Sequence, residues 1–306
     1  MQQSFFKIWL MAIRPQTLIA SAAPVFIGTA MAIGDGIEHV PTAVVCLLTA
    51  LAIQIGTNLA NDYFDFKKGT DTPERIGPTR VMQAGLVSSM AMKVAIVLTF
   101  GLAILGSYYL VHRGGRPITI IAISAILSGI FYTAGPRPLG YLGLGDLFVF
   151  IFFGPIAVAG TYYVQSLEIN TAVILAGLAP GFFSVGILTI NNLRDIQEDA
   201  KSGKLTLAVR FGRGFAQSEY LFCVLAASLI PVIIYYFIQD HEDILIATIV
   251  LLCAIPVFKT VLTKMDGDSL NKAIVSTGQL LFLYTILFSM GWVSLSHLLQ
   301  YFLRKL

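Results

Sequence analysis

Two short acidic clusters hold the side chains with which this chain could do chemistry. The first is Asn61-Asp62-Tyr63-Phe64-Asp65, continuing through Lys67, Lys68 and Gly69 to Asp71. The second is Asn191-Asn192-Leu193-Arg194-Asp195, continuing through Glu198 to Asp199. Asn61 and Asp65 recur as Asn191 and Asp195, 130 residues later. Asp62 and Asp65 are three apart, and Asp195 and Asp199 four apart. Either spacing puts both carboxylates on one face of a helix. Asp71, beyond Gly69, belongs to a loop.

Each cluster closes a long uncharged run, 41–60 and 169–190. Acids at a helix C-terminus oppose the macrodipole, at about 0.3–1 kcal/mol each. A carboxylate deeper in a bilayer costs about 2.5–3.5 kcal/mol. A cation must offset this, and hard oxygen ligands select Mg²⁺, which bridges carboxylates to substrate phosphates. Lys67, Lys68, Arg75, Arg80, Arg194, Lys201, Lys204 and Arg210 surround the clusters. Carboxylates, metal and basic side chains together suit a diphosphate. Charged loops between membrane helices are ordinary, and a single Asp-x2-Asp would mean little. The repetition, with Asn at the same offset, is what favours function.

The elements that position these clusters are membrane helices. Only 12% of the 306 residues are charged and 56% are hydrophobic, against about 25% charged in a soluble domain. Nine apolar runs are long enough to span a bilayer: 17–34, 41–60, 94–111, 117–134, 147–165, 169–190, 219–238, 244–263 and 273–299. The fold class is therefore an all-α integral membrane bundle of nine transmembrane helices. Alternating the loops places 16 of the 20 basic residues on one side. The positive-inside rule makes that side the cytoplasm. It holds the N-terminus and both acidic clusters. Residues 1–306 read as one domain, with an internal four-helix repeat (about 1–140 and 141–272) plus a ninth helix. Phe5, Phe6, Trp9 and Leu10 beside Lys7 and Arg14 suggest a short interfacial helix. Cys46, Cys223 and Cys253 sit singly in apolar runs, and no histidine falls near the clusters. An ion-coupled transporter is the rival class, but transporters place their ion sites near the midplane, not at helix exits on one side.

The paired motifs, Asn61-Asp62-x2-Asp65 and Asp195-x3-Asp199, resemble those of the UbiA-type intramembrane prenyltransferases. That resemblance implies a nine-helix bundle holding two Mg²⁺ ions and an isoprenyl diphosphate. Arg14–Leu18, the strings NDYFDFKKGTDTPERIGPTR (61–80), GLGD (143–146) and KLTLAVRFG (204–212) are similar to the branch that prenylates 1,4-dihydroxy-2-naphthoate. One departure is Gly69, where the broader family has a third Asp. The resemblance implies transfer of an isoprenyl chain to the naphthoate with loss of CO₂ and diphosphate. Homogentisate, 4-hydroxybenzoate or a phytyl donor are the alternatives. On this basis Asp62, Asp65, Asp195 and Asp199 are catalytic metal ligands, with Asp71 an additional candidate. Asn61, Lys67, Arg75, Arg80, Asn192, Lys204 and Arg210 are candidate diphosphate partners. Tyr132 and either Arg137 or Arg14 would meet the acceptor, the cations its carboxylate. Aromatic walls from Tyr63, Phe64, Phe131, Tyr132, Phe148, Phe152 and Phe153 would shield an allylic cation. The expected partners are the two substrates and the lipid bilayer, with no nucleic acid. The expected location is the inner membrane of a bacterial cell, active site inward.

Overall fold

The computed structural model describes residues 4–37, 39–70 and 77–294. All regular structure among them is helical: α1 (Phe5–Ile13), α2 (Pro15–Gly34), α3 (Val40–Lys68), α4 (Ser89–Phe131), α5 (Gly145–Phe152), α6 (Pro155–Ser166), α7 (Thr171–Arg194), α8 (Ile196–Lys201), α9 (Leu207–Ile238), a 3-10 stretch (Glu242–Ile249), α10 (Val250–Thr263) and α11 (Gly267–Val293). Side-chain caps start the helices where the apolar runs begin. Ser88, Asn170, Thr206 and Asp266 each accept from a backbone N–H three residues on.

Eight helical stretches among the described residues are long and apolar enough to cross a membrane. The difference from nine lies in α4, whose 43 residues would reach about 65 Å as a straight rod, twice the hydrocarbon thickness. It is not straight. Gly115 adopts φ 66°, ψ −148°, a conformation that glycine reaches without steric cost. Beyond it the chain turns back. Phe100, before the break, packs on Gly56 of α3, and Gly129, after it, meets Thr57. Residues on the two arms thus stand at one level. The sequence run 147–165 also divides, at Gly154, so that Pro155 opens α6 instead of kinking a longer helix.

α7 is the central post, packed against α2, α5, α6, α9 and α11. The main core is built of Ala, Val, Ile and aromatic side chains from these helices and α10, with Phe183, Tyr220, Tyr284 and Phe288 fully buried. A second cluster joins Ala12 of α1, Leu59 and Tyr63 of α3, Val81 and Met82 of the following loop, and Met92 of α4. It pins the 77–88 loop against the end of α3. The α5–α6 junction crosses α7 with almost no gap. A Cβ on Gly177 would stand 2.6 Å from Pro155 Cα and 2.9 Å from Pro155 N. Gly177→Val is expected to lower the thermal unfolding midpoint of the detergent-solubilised protein, since overpacking costs about 1–3 kcal/mol. An unchanged midpoint would refute this account of the crossing.

Candidate active site

The first motif occupies the last two turns of α3. Gly69 ends the helix at φ 71°, its N–H donating to the carbonyls of Asp65 and Phe66. Where the wider family has an acid, this chain has a left-handed cap. Asp62 and Asp65 are 1% and 9% exposed, and Asp195 and Asp199 4% and 8%. These are buried carboxylates, not solvated loop charges, and each has a separate support. The Val81 N–H from the folded-back loop donates to Asp62 Oδ2 at 3.2 Å. Tyr141 Oη donates to Asp65 Oδ1 at 2.9 Å, and Arg80 lies 3.7 Å from Asp65 Oδ2. Asp195, at the α7–α8 junction, takes two bonds from Arg194. In α8, Asp199 meets Lys204 at 3.3 Å.

Residues 132–144 join the two motifs. The Thr133 hydroxyl donates to Asn61 Oδ1 (2.9 Å), and the Thr133 carbonyl accepts from Lys68 Nζ (2.6 Å). Tyr141 reaches Asp65 with its side chain while its carbonyl accepts from Leu205 N–H at 3.0 Å. Arg210 donates to the carbonyls of Leu142 and Leu205. It therefore ties this loop to the start of α9, away from the cavity. Tyr132 follows the end of α4. Its side chain lines the cavity between the two clusters.

A cavity of about 360 Å³ opens beneath. Arg14, Asn61, Asp65, Arg80, Tyr132, Tyr141, Asn191 and Lys204 line its polar end. Phe148, Phe152 and Phe153 line its wall, and Val25, Cys46, Leu110, Ile118 and Val164 its far end. From Asp65 to Cys46 along α3 is about 28 Å. The cavity is thus a long apolar shaft with a charged mouth. Arg14 sits at the α1–α2 joint in a left-handed conformation (φ 55°, ψ 69°), a position that non-glycine residues adopt only when surroundings fix them. Asn58 Nδ2 secures that joint by donating to the Ile13 carbonyl (2.9 Å) and Thr17 Oγ1 (3.0 Å).

Other expected site residues stand elsewhere. Lys67 is exposed and lies over the Tyr63 ring at 5.6 Å. Arg137 is exposed and outside the lining, as is Phe131. Tyr63 and Phe64 pack on the α1 side of α3. Asn192 is buried outside the lining, where its neighbour Asn191 stands instead. Asp71 and Arg75 lie outside the described residues. Tyr141 was not singled out by sequence, and nothing in the sequence marks it, since its partner Asp65 is 76 residues away. Arg194 was counted among the basic residues around the clusters, but its partners Asp195, Asn191 and Asn271 were not foreseen.

The donor set suits Mg²⁺. Among the described residues no three His, Cys, Asp or Glu side chains converge on a metal position. Mg²⁺, however, is usually held by one or two carboxylates plus waters and substrate phosphates. Asp62 Oδ1 is buried with no hydrogen-bond partner among the described residues, an acceptor whose burial calls for a cation. The arrangement fits metal that arrives together with a diphosphate.

Fold and site define an intramembrane helical bundle whose shaft opens at a charged mouth lined by Asp65, with Asp62, Asp195 and Asp199 buried outside the lining. Residues 21–286 match the model of the UbiA prenyltransferase family, and the chain belongs to that family. It is 39% identical over 247 residues to a 1,4-dihydroxy-2-naphthoate octaprenyltransferase of Escherichia coli, covering 79% of this chain and 80% of that one. It is 35% identical over 296 residues to the Haemophilus influenzae protein of the same name, covering 93% and 95%. The fold is also that of a UbiA homologue from Archaeoglobus fulgidus solved with DMAPP and Mg²⁺, with a TM-score of 0.64 at 15% identity over 92% of this chain and 99% of that one.

Tyr141→Phe removes the hydroxyl that orients Asp65. A hydrogen bond to a charged group is worth about 1.5–3 kcal/mol. We expect turnover to fall roughly tenfold or more with little change in unfolding midpoint. Wild-type turnover would show that Asp65 does not depend on it.

Proposed function

We propose that the chain transfers an isoprenyl group from an isoprenyl diphosphate to 1,4-dihydroxy-2-naphthoate, releasing diphosphate and CO₂. The observation that carries this is the pairing of two buried aspartate motifs with basic side chains at the mouth of an apolar shaft. The naphthoate acceptor is supported by the names of the relatives. Asp62, Asp65, Asp195 and Asp199 would hold Mg²⁺, which supplies charge neutralisation for the departing diphosphate. Arg80, Lys204, Asn61 and Asn191 face the same mouth and bind its oxygens. The shaft takes the isoprenyl chain, and Phe148, Phe152 and Phe153 keep water from the allylic carbon.

In the reaction the bond between the donor's first carbon and its diphosphate oxygen breaks, the electron pair leaving with diphosphate. The naphthoate ring carbon bearing the carboxylate bonds to that donor carbon. CO₂ then departs, and its bonding pair restores the aromatic ring. No dedicated base is needed. Arg14, lining the mouth, is the cation for the acceptor carboxylate, in preference to the exposed Arg137. All nine apolar arms cross the membrane, the N-terminus is cytoplasmic, and residues of about 1–140 and 141–272 derive from one four-helix unit, with α11 added. The setting is a bacterial inner membrane with the mouth facing the cytoplasm, supported by the asymmetry of basic residues.

Purified protein incubated with a polyprenyl diphosphate, the naphthoate and MgCl₂ is expected to yield the prenylated, decarboxylated product by mass spectrometry. Homogentisate and 4-hydroxybenzoate should yield none. Asp65→Asn and Asp195→Asn, made separately, should each reduce transfer by on the order of a hundredfold. Near-full activity in either sinks the two-motif mechanism. Arg14→Ala is expected to raise the naphthoate KM about tenfold or more, and Arg137→Ala to leave it unchanged. The opposite ranking would reassign the acceptor cation.

A further inference from the structure

The basic side chains that meet the aspartates do so differently. Arg80 stands 3.7 Å from Asp65, and Lys204 3.3 Å from Asp199, the two basic side chains being 11% and 20% exposed. These are long contacts at the cavity mouth. Arg194 is another matter. Its side chain is 2% exposed and that of Asp195 5%. Its Nε donates to Asp195 Oδ1 and its Nη2 to Asp195 Oδ2, both at 2.6 Å. Nη2 also donates to Asn191 Oδ1 at 2.8 Å, and Nη1 to Asn271 Oδ1 of α11 at 2.6 Å.

A guanidinium has five N–H groups, and four of these are used here. Pulling it out toward a substrate would strand a buried carboxylate, at about 1–3 kcal/mol or more, and would release two half-buried amides. We infer that Arg194 is a positioning residue: a fixed clamp, anchored by Asn271, that orients Asp195 and Asn191 toward the metal–diphosphate site. This rests on the function proposed above. The fork grips one edge of the Asp195 carboxylate, and so sets the direction of the other. Asn191 is held in the same grip, which accounts for its presence in the lining while Asn192 is outside it. Asn271 makes the end of α11 part of the site's support, although it lies 76 residues from Asp195 in sequence. A lysine cannot replace this clamp, because a point charge cannot make a bidentate contact and hold two amides in a plane with it.

The test uses full-length protein in detergent with two variants, Arg194→Lys and the milder Asn271→Ala. Mn²⁺ binding, followed by the paramagnetic resonance of free Mn²⁺ without substrates, is read beside the Mg²⁺ dependence of transfer and the unfolding midpoint. Arg194→Lys is expected to weaken Mn²⁺ binding and raise half-saturating Mg²⁺ roughly tenfold or more, with the naphthoate KM unchanged. Asn271→Ala should move both in the same direction by less. Wild-type metal dependence in Arg194→Lys overturns the clamp and leaves the prenyltransferase reading standing. A lowered unfolding midpoint with unchanged metal dependence in Asn271→Ala overturns it likewise, because the residue would then be merely structural. Wild-type protein that neither binds Mn²⁺ nor transfers overturns both.

Discussion

Four carboxylates are buried at one mouth of a bundle that is otherwise almost free of charge, and the rest of the structure answers that cost. Water would pay for their solvation, but packing keeps them between 1% and 9% exposed. The compensation is local and differs for each acid. Asp62 relies on a backbone N–H, Asp65 on a tyrosine hydroxyl and a distant arginine, Asp195 on a bidentate guanidinium, and Asp199 on a lysine. Only the Asp195 contact has the short, forked geometry of a strong charge-assisted bond.

The need for these supports explains the irregular segments around the site. The 77–88 loop folds back to bury Val81 and Met82 because Asp62 needs an N–H that its own helix cannot give. The 132–144 segment stretches between the motifs, meeting Asp65 with one group of Tyr141 and Leu205 with another. Arg210 closes the same loop from α9. Below these polar braces the helices pack through small residues, as at Gly154 and Gly177, which suits close backbone approach in an apolar solvent. The shaft is left between α2, α3, α4, α5, α6 and α7, lined mostly by apolar side chains with hydroxyls such as Thr49, Ser107 and Ser184 among them.

How much of this the sequence carried depended on range. The aspartates were legible through spacing within one helical turn, and the helices through runs of apolar residues. The hairpin in α4 was legible too, since His112–Pro117 interrupts the apolar pattern where Gly115 breaks the helix. Direction was harder. Lys67 and Lys68 are adjacent, yet Lys67 covers Tyr63 while Lys68 reaches over Tyr141 to the Thr133 carbonyl. Asn191 and Asn192 are likewise adjacent, but a step of one residue turns a helical side chain by about 100°, and only one can face the cavity. Arg210 looked like a phosphate ligand and holds two loop carbonyls.

Sequence by itself therefore determined the chemistry on offer: an all-helical membrane protein, two acidic motifs at helix exits on one side, and an excess of nearby basic residues. Those are properties of composition and of short, regular spacing, which the helix converts into geometry without help from the rest of the chain. Tertiary structure alone decided which cation meets which acid, that Tyr141 bonds to Asp65 and Asn271 to Arg194, and that Arg14 lines the mouth while Arg137 is exposed outside it. Each of these depends on a contact across tens of residues. Such contacts are fixed by how the helices pack and where the loops fold back, and no local pattern records them.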